Sequence, residues 1–337
     1  MLRAPVAGLP DDFKEGTPLP PALFGDKEQL SEAAQNEIES FKGANPYGFL
    51  WTLISAWLVI IALIIIARYV DNFIISIFAI YGIATRQQVL ALLVHEQAHG
   101  LGFGFRSKWG NLVANLFCAM PLLFLSVENY ARTHLAHHKY FFTEHDPDFI
   151  RKNGRDWTFP MRTRHFLWLF VSDIFGANIS RAIAGEKIHN RVLKQNPTNE
   201  SPSSLSPLVR MLYFGFFAGL FTYFHLWGVF LLYFVVPLLT FFQLFLRWGA
   251  IDEHKYNVVS QNIIDSTPII TISRLERLLL PNLNFNYHIY HHYYPYISFV
   301  HLPKVHAIYE REGLVHEKNI FHGYFSFIKY LQWGKQS

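Results

Sequence analysis

The chain has 337 residues, 51% of them hydrophobic and 17% aromatic, and Phe alone numbers 32. Only 16% are charged and the net charge is +4, against roughly 25% charged residues in an ordinary soluble domain. This balance excludes a large soluble core and a strongly basic nucleic-acid-binding protein, and with the long apolar runs it points to an integral membrane protein.

The first 45 residues carry acidic groups and several prolines (DDFKEGTPLPPALFGDKE) without a leading apolar run. They are expected to form a disordered cytosolic tail with no cleavable signal peptide. A first span is expected at about 49–67 (FLWTLISAWLVIIALIIIA), long enough to cross a hydrocarbon layer of roughly 30 Å. A second, at about 72–94, is interrupted by the polar stretch Thr85–Gln88 and ends at His95. Residues 109–125 are apolar but short, and a single crossing there would separate neighbouring histidine clusters. They are read as a helix lying in the membrane interface. Their one cysteine, Cys118, sits in an apolar setting (NLFCAM) and reads as a small buried hydrophobe. Being alone, it excludes an internal disulfide.

Residues 139–207 are polar, with loop signals at DPD and NPTNESPSSLSP. Two further spans are expected at about 208–226 and 229–246, followed by a helical C-terminal cap. Thirteen Lys or Arg lie between His95 and Pro207, whereas the short loops of the opposite side hold only Arg68. The positive-inside rule then places both termini and the histidine clusters on the cytoplasmic side. The expected fold is an all-α membrane protein: four transmembrane helices and a cytosolic helical cap, forming one domain over 46–337.

Seventeen histidines are present, and their spacing carries the chemistry. HLAHH (His134, His137, His138) and HIYHH (His288, His291, His292) both read H-x-x-H-H, and HEQAH places His95 and His99 four apart. Residues three and four apart share a helical face, so each triplet is expected to aim its imidazoles at one point, as a metal site requires. His254, in RWGAIDEHKY, is a ninth candidate. Zinc takes about four ligands, so eight or nine imidazoles suit two metals with open positions. Two irons are expected, because a pair can share the electrons that activate dioxygen, although spacing alone does not identify the element. Carboxylates that could orient these rings or hold nearby protons are Glu96, Glu144, Asp146, Asp148, Asp252 and Glu253, and Asn286 could hold a metal-bound water. His145, His165, His189, His301, His306, His316 and His322 lack a ligand-spaced partner, and His225 reads as a headgroup-region residue.

HEQAH is also the H-E-x-x-H zinc-protease signature, with Glu96 as the general base. That reading needs one more ligand and leaves both triplets unused. A metal transporter would place its ligands within the spans, near the midplane.

These motifs resemble the membrane fatty acid desaturase superfamily, which includes hydroxylases and ketolases. The resemblance covers residues 50–315. It rests on HEQAH followed by Gly100, on HLAHH about 35 residues later, on the Glu253-His254 pair, and on NYHIYHH followed by Pro295. It implies a di-iron, dioxygen-dependent enzyme with four transmembrane helices under a cytosolic cap. It implies iron ligands at His95, His99, His134, His137, His138, His254, His288, His291 and His292. Many members carry Asp where this chain has Glu96, although several acyl-lipid desaturases carry Glu. No heme-binding HPGG motif is visible, so the electrons are expected from a separate b-type cytochrome, or a ferredoxin with its reductase. The expected reaction is desaturation of a fatty acyl chain, lipid-linked or thioester, in the endoplasmic reticulum or a bacterial inner membrane. Hydroxylation or ketolation of a lipid or carotenoid is the alternative on the same scaffold.

Overall fold

The computed structural model describes residues 29–123, 126–152, 154–181, 205–256, 262–315 and 317–334. Two long antiparallel helices open the membrane part. Pro46–Val70 is capped by Asn45, whose side chain accepts from Gly48 N, and Asp71 ends it in the left-handed conformation. Phe73–Ala98 follows at once, capped by Asn72. Both caps satisfy N–H groups that have no partner within the helix.

Among the described residues, three helices are long and apolar enough to cross a membrane: Pro46–Val70, Phe73–Ala98 and the composite Trp227–Glu253. Trp51, Leu58, Ile65 and Phe78 point outward from the first two, more contiguous apolar surface than a soluble protein ordinarily shows. The expected span at about 208–226 corresponds to the helix Pro207–Tyr223, with no buried residue over its 17 positions. At 1.5 Å per residue it measures about 25 Å, short of a full hydrocarbon layer.

The stretch Thr85–Gln88 does not interrupt its helix. Thr85, Gln87 and Gln88 are buried against protein, and Gln87 Nε2 donates to Phe234 O at 2.9 Å. That carbonyl lies in the π-turn Leu231–Val235 of the third long helix, just before Pro237. A proline removes a backbone donor, and such irregular turns free carbonyls. The polar run therefore serves a neighbouring helix rather than breaking its own.

Two expectations need correction. Residues 1–28 lie outside the described residues, but the rest of the proposed tail is ordered. Glu32–Glu39 is a helix capped by Ser31, with Ala34 and Ile38 buried. It packs on the helix Leu302–Arg311 through Arg311–Glu37 at 2.7 Å, and Ser31 N donates to Glu312. The fold is also not purely helical. Strands β1 (Ile269–Thr271) and β2 (Ile320–His322) pair in parallel, Ile270 opposite Phe321. Three-residue strands lie below what sequence alternation can signal.

A second apolar cluster joins Phe166, Leu169, Trp248, Ile251, Ile270, Phe321 and Phe327. Beside it Arg247, fully buried, donates from Nε to Asp173, tying the third long helix to the helix Thr163–Ile174. Arg181 also contacts Asp173, and the Arg247 guanidinium lies 4.9 Å from the Trp157 ring. Removing one partner of such a buried pair leaves an uncompensated charge. Asp173→Ala is expected to cost about 3–5 kcal/mol, read as a lower unfolding midpoint in detergent. A double variant, Arg247→Met with Asp173→Leu, should recover most of the loss.

Candidate metal centre

The first histidine box ends the helix Phe73–Ala98. Gly100 adopts φ +76°; its N–H bonds Gln97 O at 2.8 Å and that of Leu101 bonds Glu96 O at 3.0 Å. This is a Schellman end, which glycine permits. A Cβ on Gly100 would lie 2.3 Å from the Phe105 backbone, so the position of His99 depends on this glycine. The second box lies on the helix Val127–Lys139, capped by Ser126. Glu128 of that helix accepts from Asn111 and Asn115, fixing it to the segment 108–119. The third box forms the helix His288–Tyr293. His254 closes the third long helix in an extended conformation.

All nine histidines meet in one array, in which eight are buried and His138 is half-buried. The ligand nitrogens of His95, His99, His134 and His291 lie within 4.8 Å of one another, as do those of His137, His254 and His292. His138 joins the first group, its Nε2 lying 3.0 Å from that of His134 and 3.1 Å from that of His291. His288 joins the second, 3.1 Å from His292. The groups touch where His138 stacks on His292, ring centroids 4.1 Å apart.

The expectation that each triplet aims at a single point is corrected. At about 100° per residue, adjacent histidines diverge. The pair His137-His138 therefore straddles the two groups, and so does His291-His292. Each H-x-x-H-H motif serves both.

Hydrogen bonding alone does not account for this geometry. His254 Nε2 is 3.1 Å from the Nε2 atoms of both His137 and His292. An imidazole nitrogen carries one proton or one lone pair, so a multiple meeting of Nε2 atoms leaves lone pairs facing each other. Both nitrogens of His95 and Nε2 of His99 have no hydrogen-bond partner among the described residues. A cation at each convergence resolves the conflict, so the donor set fits two metal ions. Burial, then the neighbouring imidazoles, holds His134, His138, His254, His288, His291 and His292 well below the usual histidine range. His99 is pushed down to about 3, again chiefly by burial. Neutral rings with free lone pairs are the form that binds metal.

His137 differs. Burial lowers it, but the Asp146 carboxylate outweighs burial and raises it. Asp146 Oδ2 lies 2.8 Å from His137 Nδ1 and also accepts from Phe142 N. This contact fixes the ring so that Nε2 presents its lone pair to the group. His254 Nδ1 has Thr267 Oγ1 at 3.2 Å, a partner that sequence reasoning missed, since a threonine thirteen residues away carries no spacing signal.

The other proposed supporting residues do not hydrogen-bond a box histidine among the described residues. Glu96 accepts from Phe299 N at 3.3 Å, tying the first box to the loop after the third. Asp148 pairs with Lys152 and Arg151. Asp252 accepts from Tyr324 OH. Asn286 Nδ2 donates to Ile270 O at 2.7 Å while its Oδ1 has no hydrogen-bond partner among the described residues. Glu253 lines a small cleft with Gln88, Trp248 and Phe285. Glu144 lies 3.8 Å from His145.

Of the remaining histidines, His165 contacts Asp156, His306 contacts Glu310, and His322 faces Thr271. His301 stacks on Phe41, and His225 sits in a turn at φ +54°. His189 and His316 lie outside the described residues.

Asp146→Asn keeps a carbonyl for the cap contacts from Asp148 N and Phe149 N, but an amide NH2 in place of Oδ2 can accept neither from His137 Nδ1–H nor from Phe142 N. Metal affinity is expected to fall about 10–100-fold, measured by competition with a chelator. Unchanged affinity would remove Asp146 from the centre.

The model of the fatty acid desaturase family matches residues 55–324. No curated protein matches the chain. A match that spans well over half of the sequence and takes in all three histidine boxes makes this chain a member of the fatty acid desaturase family.

Proposed function

We propose that the chain introduces a double bond into a fatty acyl chain at a two-iron centre, with dioxygen and two external electrons. The observation that carries this reading is the nine-imidazole array divided into two groups, in an oxidoreductase family that acts on fatty acids. His95, His99, His134, His138 and His291 would hold one ion. His137, His254, His288 and His292 would hold the other.

An acyl methylene has no acidic proton and no leaving group, so side-chain acid–base chemistry cannot attack it. Bound iron would supply the oxidising power for removing its hydrogen atoms. The residues of this chain do the rest. Burial of the array keeps bulk water from the reacting carbon pair. Phe285 packs on His95, with ring centroids 4.5 Å apart, and Phe141 on His292 at 5.0 Å, giving the centre apolar walls. Asp146 and Thr267 hold the ring orientation of His137 and His254. The zinc-protease reading loses support because Glu96 is engaged by the Phe299 backbone and seven further histidines share the array.

The remaining assignments follow from the charge distribution and the family. The boxes face the cytoplasm at the ends of four spans, Pro207–Tyr223 contributing the shortest. The electrons come from a separate b-type cytochrome, or a ferredoxin with its reductase.

Purified, iron-loaded protein is expected to hold about two irons per chain, counted by elemental analysis; zinc alone would defeat the proposal. His291→Ala should abolish product while the variant still inserts and elutes like the parent, and retained turnover would separate the third box from the reaction. Lipids from a host expressing the chain should lose about two mass units per desaturation, whereas a gain of about sixteen marks hydroxylation.

A further inference from the structure

We propose that the tyrosines packed behind the third histidine box form a relay that carries stray oxidising equivalents from the metal centre to the protein surface, sparing the histidine ligands. The proposal rests on the oxidative reading given above. Six of the chain's 17 tyrosines gather in this one region: Tyr287, Tyr290, Tyr293, Tyr294, Tyr296 and Tyr309. Tyr290, Tyr293, Tyr294 and Tyr309 are buried. A packed core asks only for apolar rings, which Phe supplies without a hydroxyl to satisfy. Here the hydroxyls are organised.

Tyr290 sits on the same short helix as His288, His291 and His292, within the roughly 10–12 Å width of a helix from their far side. Its hydroxyl lies 3.0 Å from His306 Nδ1, and His306 Nε2 lies 3.3 Å from Glu310 Oε1. A carboxylate only accepts, so Nε2 carries the ring proton and Nδ1 accepts from Tyr290. The phenol thus has a base already in place. From Tyr290 the rings continue outward. Tyr309 is 4.8 Å away between centroids, Tyr294 is 6.4 Å from Tyr309, and Tyr296 is 6.0 Å from Tyr294. The hydroxyls of Tyr294 and Tyr309 are 2.9 Å apart. The chain ends at partly exposed Tyr296, whose hydroxyl donates to Glu39 Oε1 at 2.7 Å.

The step balances as follows. When dioxygen has been activated without an acyl chain in place, Tyr290 gives one electron to the centre and its phenolic proton to His306 Nδ1, leaving a neutral phenoxyl group. The electron that refills it passes from Tyr296 through Tyr294 and Tyr309. The proton on His306 returns to Tyr290, and Tyr296 releases its own proton to Glu39. A soluble one-electron reductant of the thiolate or ascorbate class restores Tyr296, and Glu39 returns the proton. The centre ends one electron more reduced, and no ligand is damaged.

The test uses full-length, iron-loaded protein, reduced and then mixed with dioxygen without substrate. Freeze-quenched samples are read by electron paramagnetic resonance, and peptides by mass spectrometry. The parent should show a phenoxyl signal that narrows with ring-deuterated tyrosine, and stable oxidation concentrated at Tyr296. Tyr290→Phe should lose that signal, raise oxidation of the box histidines severalfold and, in a separate assay with acyl substrate present, leave the initial rate of product formation unchanged. Tyr309→Phe, one step further out, should keep the signal and lengthen its lifetime, which serves if Tyr290→Phe does not fold. Two bound irons and normal product with no phenoxyl signal, or with ligand damage unaltered in both variants, would overturn the relay alone. A parent that binds no iron and forms no product would overturn the relay together with the reading beneath it.

Discussion

The rest of the structure is organised around one electrostatic conflict. Nine imidazoles, eight of them buried and His138 partly so, bring their nitrogen lone pairs to two points, and the hydrogen-bonding capacity of neutral rings cannot satisfy meetings of three. Such an arrangement is costly unless cations occupy it. The surrounding fold must therefore be stiff enough to hold the rings together. Burial and mutual repulsion keep the rings other than His137 unprotonated, while Asp146 fixes His137 through its Nδ1, so the arrangement that is unfavourable without metal is prepared for binding it.

Stiffness comes from ends rather than middles. His99 is fixed by a Schellman turn that needs Gly100, and His254 by the termination of its helix and by Thr267. Asp146 caps the helix Pro147–Arg151 and anchors His137 with the same carboxylate. Glu96 and the paired Arg247 and Asp173 tie these ends to segments distant in sequence. Polar residues inside apolar helices, such as Gln87, supply hydrogen bonds where the π-turn and Pro237 leave the neighbouring backbone irregular. Each device lets short segments present side chains at fixed angles beside a membrane-sized apolar scaffold.

On the function proposed above, the centre would face two demands. It must exclude water while acyl carbon is present, and it must survive when none is. The apolar rings of Phe285 and Phe141 against the histidines answer the first. The tyrosines behind the third box, with His306 and Glu310, offer a route for the second. Both use aromatic residues, which explains part of an aromatic content of 17% that lipid contact alone would not require.

Much of the centre was legible in the chain. Helical spacing selected all eight box histidines, and position at the end of a span selected His254. Long apolar runs identified three helices able to cross a membrane. The division of each triplet between two groups followed from helical angle, yet became evident only once partners from three segments were in place. Tertiary structure alone decided the rest. It paired Asp146 with His137 and passed over Glu96, Asp148 and Glu253, because a carboxylate's partner depends on distance in space rather than along the chain. It brought in Thr267, ordered the helix Glu32–Glu39 against Leu302–Arg311, and formed a two-stranded sheet. Local periodicity determined which residues face one way. Convergence of segments two hundred residues apart determined what they face.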